Sequence, residues 1–257
     1  ISYNRCVNIK KRGICNEKRT KKSFRGGGNL SPSGGNAFTL AEVLITLGII
    51  GVVAALTLPS VITNYQKKQT VVQLKKTYTE LSQAIDYSKN EYGEIENWDF
   101  SLLGMDFFNK YLCSFIKISS STVGNNNIKY YETSGNVANS TMLSLLYDAN
   151  VVTLNSGAQL FLSNRLIVPQ QRRGFWVDIN GFKKPNKFGR DLFYFVITEK
   201  GVLPLYWDDY ATDLTPKTRT QLIQGPSVNR YNCSKYARGV WCAALIMQDG
   251  WNISDDY

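Results

Sequence analysis

The sequence predicts an α+β fold, a long N-terminal helix packed on a C-terminal antiparallel β-sheet, and three observations predict it. Residues 38–59, FTLAEVLITLGIIGVVAALTLP, are an apolar run whose one charge is Glu42. Beyond it Leu74, Tyr78, Leu81 and Ile85 recur at the spacing of a single helical face. From Phe175 onward, short runs of aromatic and β-branched residues alternate with turn residues, the pattern of strands and hairpins.

Residues 1–37 come first and show no hydrophobic period. They hold nine Lys and Arg against Glu17 alone, so most of the chain's formal charge of +10 lies there. Basic, glycine-rich and polar, this stretch is expected to be a disordered leader. Lys and Arg beside an apolar span hold their side in the cytoplasm, which places everything after Pro59 outside. A basic arm for nucleic acid is the other reading of such a run. Its position directly ahead of a span favours topology, and the nearly neutral remainder argues against strong capture of DNA or RNA.

At a rise of about 1.5 Å per residue, the run 38–59 spans roughly 33 Å as a helix, enough for a hydrocarbon core of about 30 Å. A carboxylate so near its start needs a reason, because a charge inside a membrane costs about 2.5–3.5 kcal/mol even on lenient scales. Gly48, Gly51 and Pro59 are the expected soft points or kinks. Between 60 and 92 the polar faces carry Lys67, Lys68, Lys75, Lys76 and Glu80. The helix is therefore predicted over 38–92, with a transmembrane half followed by an amphipathic half.

An exported globular domain is predicted over 93–257. Short helical pieces are expected near 100–103, 107–108 and 111–115, then a polar loop over 119–127, a second loop over 136–140, and short strands at 151–153 and 159–162. A strand at 175–179 runs into Asn180-Gly181, the strongest short hairpin signal, and further strands follow at 192–198 and 202–207 around a turn at Glu199-Lys200-Gly201. Asp208, Asp209 and Asp213 read as a solvated acidic loop. The chain has no histidine, so it lacks the commonest general base and metal ligand. No nucleophile–base constellation, phosphate loop or metal spacing is present, and no enzyme is predicted.

The run Ala37-Phe38-Thr39-Leu40-Ala41-Glu42-Val43-Leu44-Ile45 closely resembles the processing and assembly segment of type IV pilins and type II secretion pseudopilins. That resemblance implies a prepilin peptidase that cuts between Ala37 and Phe38 and N-methylates Phe38, with Glu42 as the carboxylate that guides assembly. Pro59 matches a proline common near the outer end of that segment. Ala37 departs from the family, which usually has glycine before the cut. A second stretch, 177–193, resembles a recurrent part of pseudopilin C-terminal domains, in which Asp-x-Asn-Gly is followed by Pro-Asn, Gly and Asp before an aromatic strand. Some pseudopilins bind calcium in such loops, which makes Asp178, Asn180 and Asp191 candidate ligands. The loop is not an EF-hand, since the twelfth position from Asp178 is Gly189 where a Glu is required. The alternative is that Asp178 and Asn180 cap a tight turn, while Asp191 forms a hydrogen bond or pairs near Arg190.

The end of the chain, with Cys233, Cys242 and Gly250-Trp251-Asn252-Ile253, also resembles minor pilin-like proteins. In many pilins such cysteines close a short disulfide loop. Cys113 is then left over, buried and inert or paired elsewhere. The resemblance implies a pilin-like fold throughout and a structural subunit, expected to be a minor one, of a type IV pilus or type II secretion pseudopilus. Its partners would be the prepilin peptidase, other pilin or pseudopilin subunits and an inner-membrane assembly platform. It would sit in the inner membrane as a single pass, N-terminus cytoplasmic and domain outside, and then in an extracytoplasmic filament. The alternative is a membrane-tethered exported binding module, for example for DNA capture in uptake. Arg165, Arg172, Arg173, Lys183, Lys184, Lys187 and Arg190, with Phe175, Trp176 and Phe188 for stacking, would serve it. The plainer reading of the same cations is solvated turn charges.

Overall fold

The computed structural model describes residues 38–123, 128–138, 146, 149–162, 172–206, 215–225 and 230–255. The leader with Ala37, together with Arg165, Trp207 and the acidic run Asp208, Asp209 and Asp213, lies outside them. The chain divides into two compact units, with the boundary between Asn64 and Tyr65.

The first unit contributes the start of helix α1, Leu40–Tyr92. The helical assignment continues through Gly48, Gly51 and Pro59, the expected soft points. Its apolar side chains, among them Leu44, Ile50 and Leu56, are exposed. Within a hydrocarbon layer every polar group needs a partner inside the protein. The hydroxyls of Thr46, Thr57 and Thr63 donate to the carbonyls of Val43 (3.0 Å), Val53 (2.9 Å) and Pro59 (2.9 Å). Among the described residues this is one helix long and apolar enough to cross a membrane.

In the second unit the remainder of α1 is amphipathic, as its spacing predicts. Leu74, Leu81 and Ile85 are buried and Tyr78 partly so, with Thr77, Ala84 and Ser88 completing the stripe. Burying a leucine of this kind contributes about 1.5–3 kcal/mol. The helix ends at Gly93, whose N–H closes on the Lys89 carbonyl at 2.9 Å. A 3-10 turn at Ile95–Asn97 and helix α2, Gly104–Tyr111, follow. Trp98 stacks on Tyr111 with ring centroids 4.4 Å apart.

Six strands then form an antiparallel meander in chain order: β1 Ile118–Val123, β2 Asn150–Leu154, β3 Gln159–Leu162, β4 Arg173–Asp178, β5 Leu192–Thr198 and β6 Gly201–Pro204. Short helices α3, Arg219–Gln224, and α4, Cys242–Gln248, close the unit. Every residue of β5 is buried, so both sheet faces are covered. On one face Phe195 meets Tyr78 of α1 at 5.9 Å, and on the other Tyr194 lies 4.5 Å from Trp176. Gly174 makes room for Tyr194: a β-carbon there would come within 1.8 Å of its hydroxyl. The fold is thus α+β, with a long helix on an antiparallel sheet.

Two sequence expectations are corrected here. The serine-rich stretch read as a loop from 119 forms strand β1 as far as Val123. An edge strand is held by its backbone ladder to β2, which serine does not disturb, so composition misled. Asn180-Gly181 does not close a tight hairpin. Strands β4 and β5 pair from Asp178↔Leu192, and Asn180-Gly181 opens a longer connection, residues 179–191. The N–H groups of Asn180, Asn186 and Lys187 bond to the carboxylates of Asp178 and Asp191, and those of Lys183, Phe188 and Arg190 to the backbone carbonyls of Gly181, Tyr131 and Lys187.

Candidate functional site

The first site lies at the start of α1. Phe38 is exposed and Thr39 caps the helix. The Thr39 N–H and hydroxyl both donate to Glu42 Oε2 at 2.8 Å, and the Glu42 N–H donates back to Thr39 Oγ1 at 3.2 Å. This is a reciprocal capping box, in which the carboxylate satisfies donors that the first turn leaves open and faces the positive end of the helix dipole. The charge that looked costly in an apolar run is therefore held by its own chain. Sequence reasoning singled out Glu42 and missed Thr39, although the Thr-x-x-Glu spacing signals it.

The second site is the connection 179–191. Asp178 ends β4 and Asp191 precedes β5, and both are buried. Asp191 accepts from the backbone N–H of Asn186 at 2.7 Å and of Lys187. Asp178 accepts from the Asn180 N–H at 3.1 Å, with further hydrogen bonds from the Gly181 backbone and the Tyr130 side chain. The Asn180 carboxamide lies between them, 2.9 Å from Asp178 Oδ1 at one end and 3.4 Å from Asp191 Oδ2 at the other. Burial, and then the neighbouring Asp191, push the Asp178 carboxyl well above the usual range. Burial pushes Asp191 up as well.

The structure thus brings the three candidate calcium ligands together and adds Tyr130, which no spacing in the sequence linked to them. It engages Asp178 Oδ1 and both Asp191 oxygens with the loop's own backbone. Calcium takes about six to eight oxygens, so an ion here would draw the rest from carbonyls or water. Asp178 accepts from the backbone two residues on and Asp191 from the backbone of Asn186 and Lys187, so both carboxyls hydrogen-bond to the connection between the strands.

The third feature is the chain end. Cys233 and Cys242 form a disulfide. It packs on the loop: a β-carbon on Gly189, whose φ is +77°, would sit 2.6 Å from Cys242 Sγ. Of the two alternatives for Cys113, pairing elsewhere holds, because it too is disulfide-bonded.

The cations grouped for DNA capture do not share one surface. Arg172 and Arg173 are buried, and the Arg173 guanidinium binds the carbonyls of Phe100 (2.6 Å) and Leu102. Phe175, Trp176 and Phe188 are core residues and offer no stacking face. Lys183, Lys184, Lys187 and Arg190 remain, on or beside the 179–191 loop surface.

Over residues 60–257 the chain matches the protein family described as "Family of unknown function (DUF6613)", a match that begins directly after Pro59. No curated protein and no solved structure matches the chain.

Proposed function

The chain belongs to that family of unknown function, DUF6613, whose description assigns no activity, and from its own residues we propose a structural subunit of a type IV pilus or type II secretion pseudopilus. The observation that carries the reading is Glu42, capped by Thr39, the second residue after the expected cleavage site, at the head of a 53-residue helix whose far half packs on an antiparallel sheet. The resemblance of residues 37–45 to the prepilin segment supports it.

The mechanism follows from the chemistry of the cut. Cleavage after Ala37 frees an α-amino group on Phe38, cationic below a pKa of about 8. In a filament core that amine on one subunit pairs with Glu42 of a neighbour. Within one subunit Glu42 is already satisfied by Thr39, so assembly exchanges local donors for a neighbour's charge. A buried ion pair barely recovers its desolvation cost, so the pairing sets register more than it adds stability. The prepilin peptidase, sibling pilin subunits and an inner-membrane assembly platform are the partners this reading requires, and it assigns the chain no catalysis.

The test begins with the mass of the N-terminus in membrane-extracted protein, expected at N-methyl-Phe38. An unprocessed leader, or a start beyond Pro59, would overturn the reading. Glu42→Val is expected to leave processing intact and to reduce filament incorporation at least tenfold; normal incorporation of that variant would sink the pairing mechanism.

A further inference from the structure

Two regions of the 65–257 unit carry opposite charge, and we propose that they dock on one another between successive copies of this chain, head to tail. The proposal rests on the filament reading and names the contact between exported domains.

The basic region is a groove of about 1010 Å³ between α1, at Gln66 to Gln73, and the 179–191 loop. Lys67, Lys183, Lys184, Lys187, Arg190 and Lys235 line it. Its one acidic lining residue, Asp191, has both oxygens engaged by backbone N–H groups. Lys67 is paired with Asp255, whereas Lys183 and Lys184 are exposed. Burial, and the charge of Arg190 beside it, lower the Lys187 pKa, against the opposing pull of Asp191.

The acidic region surrounds the far end of α1. Asp86, Glu91, Glu94, Glu96, Asp99 and Asp106 are all exposed there. Lys89 answers Glu94 at 2.9 Å, and Lys110 lies over the Tyr111 ring. Glu91 at a helix C-terminus opposes the dipole, which favours cations there by about 0.3–1 kcal/mol. Local helix physics therefore does not account for the acidic end.

Lys67 and Glu91 are roughly 36 Å apart along the axis at about 1.5 Å per residue. Screening acts over about 8 Å at physiological salt, so the two regions cannot neutralise each other within one copy. A second copy set end-on can bring them together. Such a contact is heterologous, leaves each end free for another copy, and propagates into an open helical string. A nucleic acid in the groove would use the lysines but leave the acidic end unexplained.

The test uses the full chain in mild detergent, followed by sedimentation at low and high salt. The wild type is expected to self-associate at low salt and dissociate at high salt. Lys183→Glu with Lys184→Glu, and separately Glu91→Lys with Glu96→Lys, are each expected to weaken self-association at least tenfold with unchanged melting temperatures, since all four side chains are exposed. Mixing the two double variants should restore association, because one then carries only acidic ends and the other only basic ends. A mixture no better than its components overturns the proposal. So does loss confined to the lysine variant, which would give the groove to another polyanion. If the N-terminus of the same samples reads as N-methyl-Phe38 while the wild type stays monomeric, the filament reading stands and this contact falls.

Discussion

The two halves of α1 share one secondary structure and opposite surroundings. In residues 40–64 Leu40 is 77 %, Ile50 63 % and Leu56 76 % exposed, whereas in residues 65–92 Leu74 is 0 %, Leu81 1 % and Ile85 2 % exposed. Helical backbone bonding is alike in both, so it does not decide where side chains go. The second half has a period: one apolar face, with lysines on the others, finds a sheet within the same chain. The first half is apolar all round, and no single face of a sheet could cover it. A helix of that kind is completed by lipid or by other helices, which is the physical content of the filament reading: one side chain set serves a bilayer first and a subunit core afterwards.

The sharpest way to break this comparison is a pair of substitutions, one in each half. Leu81→Ala should destabilise the 65–257 unit by about 2–5 kcal/mol, the usual cost of emptying a packed leucine site, and leave membrane partition untouched. Ile50→Lys should act in reverse, opposing insertion by about 2.5–3.5 kcal/mol while the domain melts as before. Thermal melting and carbonate extraction of membranes read the two effects separately. If Ile50→Lys lowered the melting temperature as Leu81→Ala does, the division of the helix would be wrong.

The connection 179–191 gives a smaller effect, confined to the second unit. Asp178 and Asp191 have folded pKa values above their unfolded ones. A raised carboxyl contributes stability that is fully present below the unfolded pKa of about 4 and is lost as pH rises through the folded value. The wild type should therefore lose stability on going from pH 4 upward, and Asp178→Asn should flatten that slope and raise the melting temperature at neutral pH. Added calcium sharpens the result. A rise in the wild-type melting temperature that Asp178→Asn abolishes would identify the loop as a calcium site, and no rise assigns the carboxylates to holding the turn.

These contrasts also mark how far the sequence could be read. The helix was legible because its signals are local, an apolar run and then a period of 3.6, and strands β2, β4 and β5 because they are rich in β-branched or aromatic residues. Strand β1 was not, since an edge strand of serines is defined by its partner rather than by its side chains. The Asn180-Gly181 signal misled for a related reason: turn propensity is local, but the β4–β5 register is fixed by both strands, with Asp191 holding the intervening backbone. At the candidate sites Glu42 and the Cys233–Cys242 pair were legible. The approach of Tyr130 to Asp178 and the burial of Phe175, Trp176 and Phe188 depend on tertiary packing that no spacing encodes.

The smallest expected effect bears on the first half alone. Thr39→Ala removes both the hydroxyl that donates to Glu42 and the oxygen that accepts its N–H. Losing a cap of this kind costs about 1 kcal/mol, enough to raise local opening roughly fivefold. Amide exchange should quicken at residues 40–43 by about that factor, and Thr39→Ser, which keeps the hydroxyl, should not change it. Exchange across residues 65–92 should be the same in all three proteins, because that half is held by the core of its own unit. Glu42 freed from its cap has one competitor fewer for a neighbour's amine, yet it also loses the geometry that aims it. If aiming matters more, Thr39→Ala slows filament incorporation while Thr39→Ser supports it. Equal incorporation of both variants would mean that the capping box serves the helix and not the assembly.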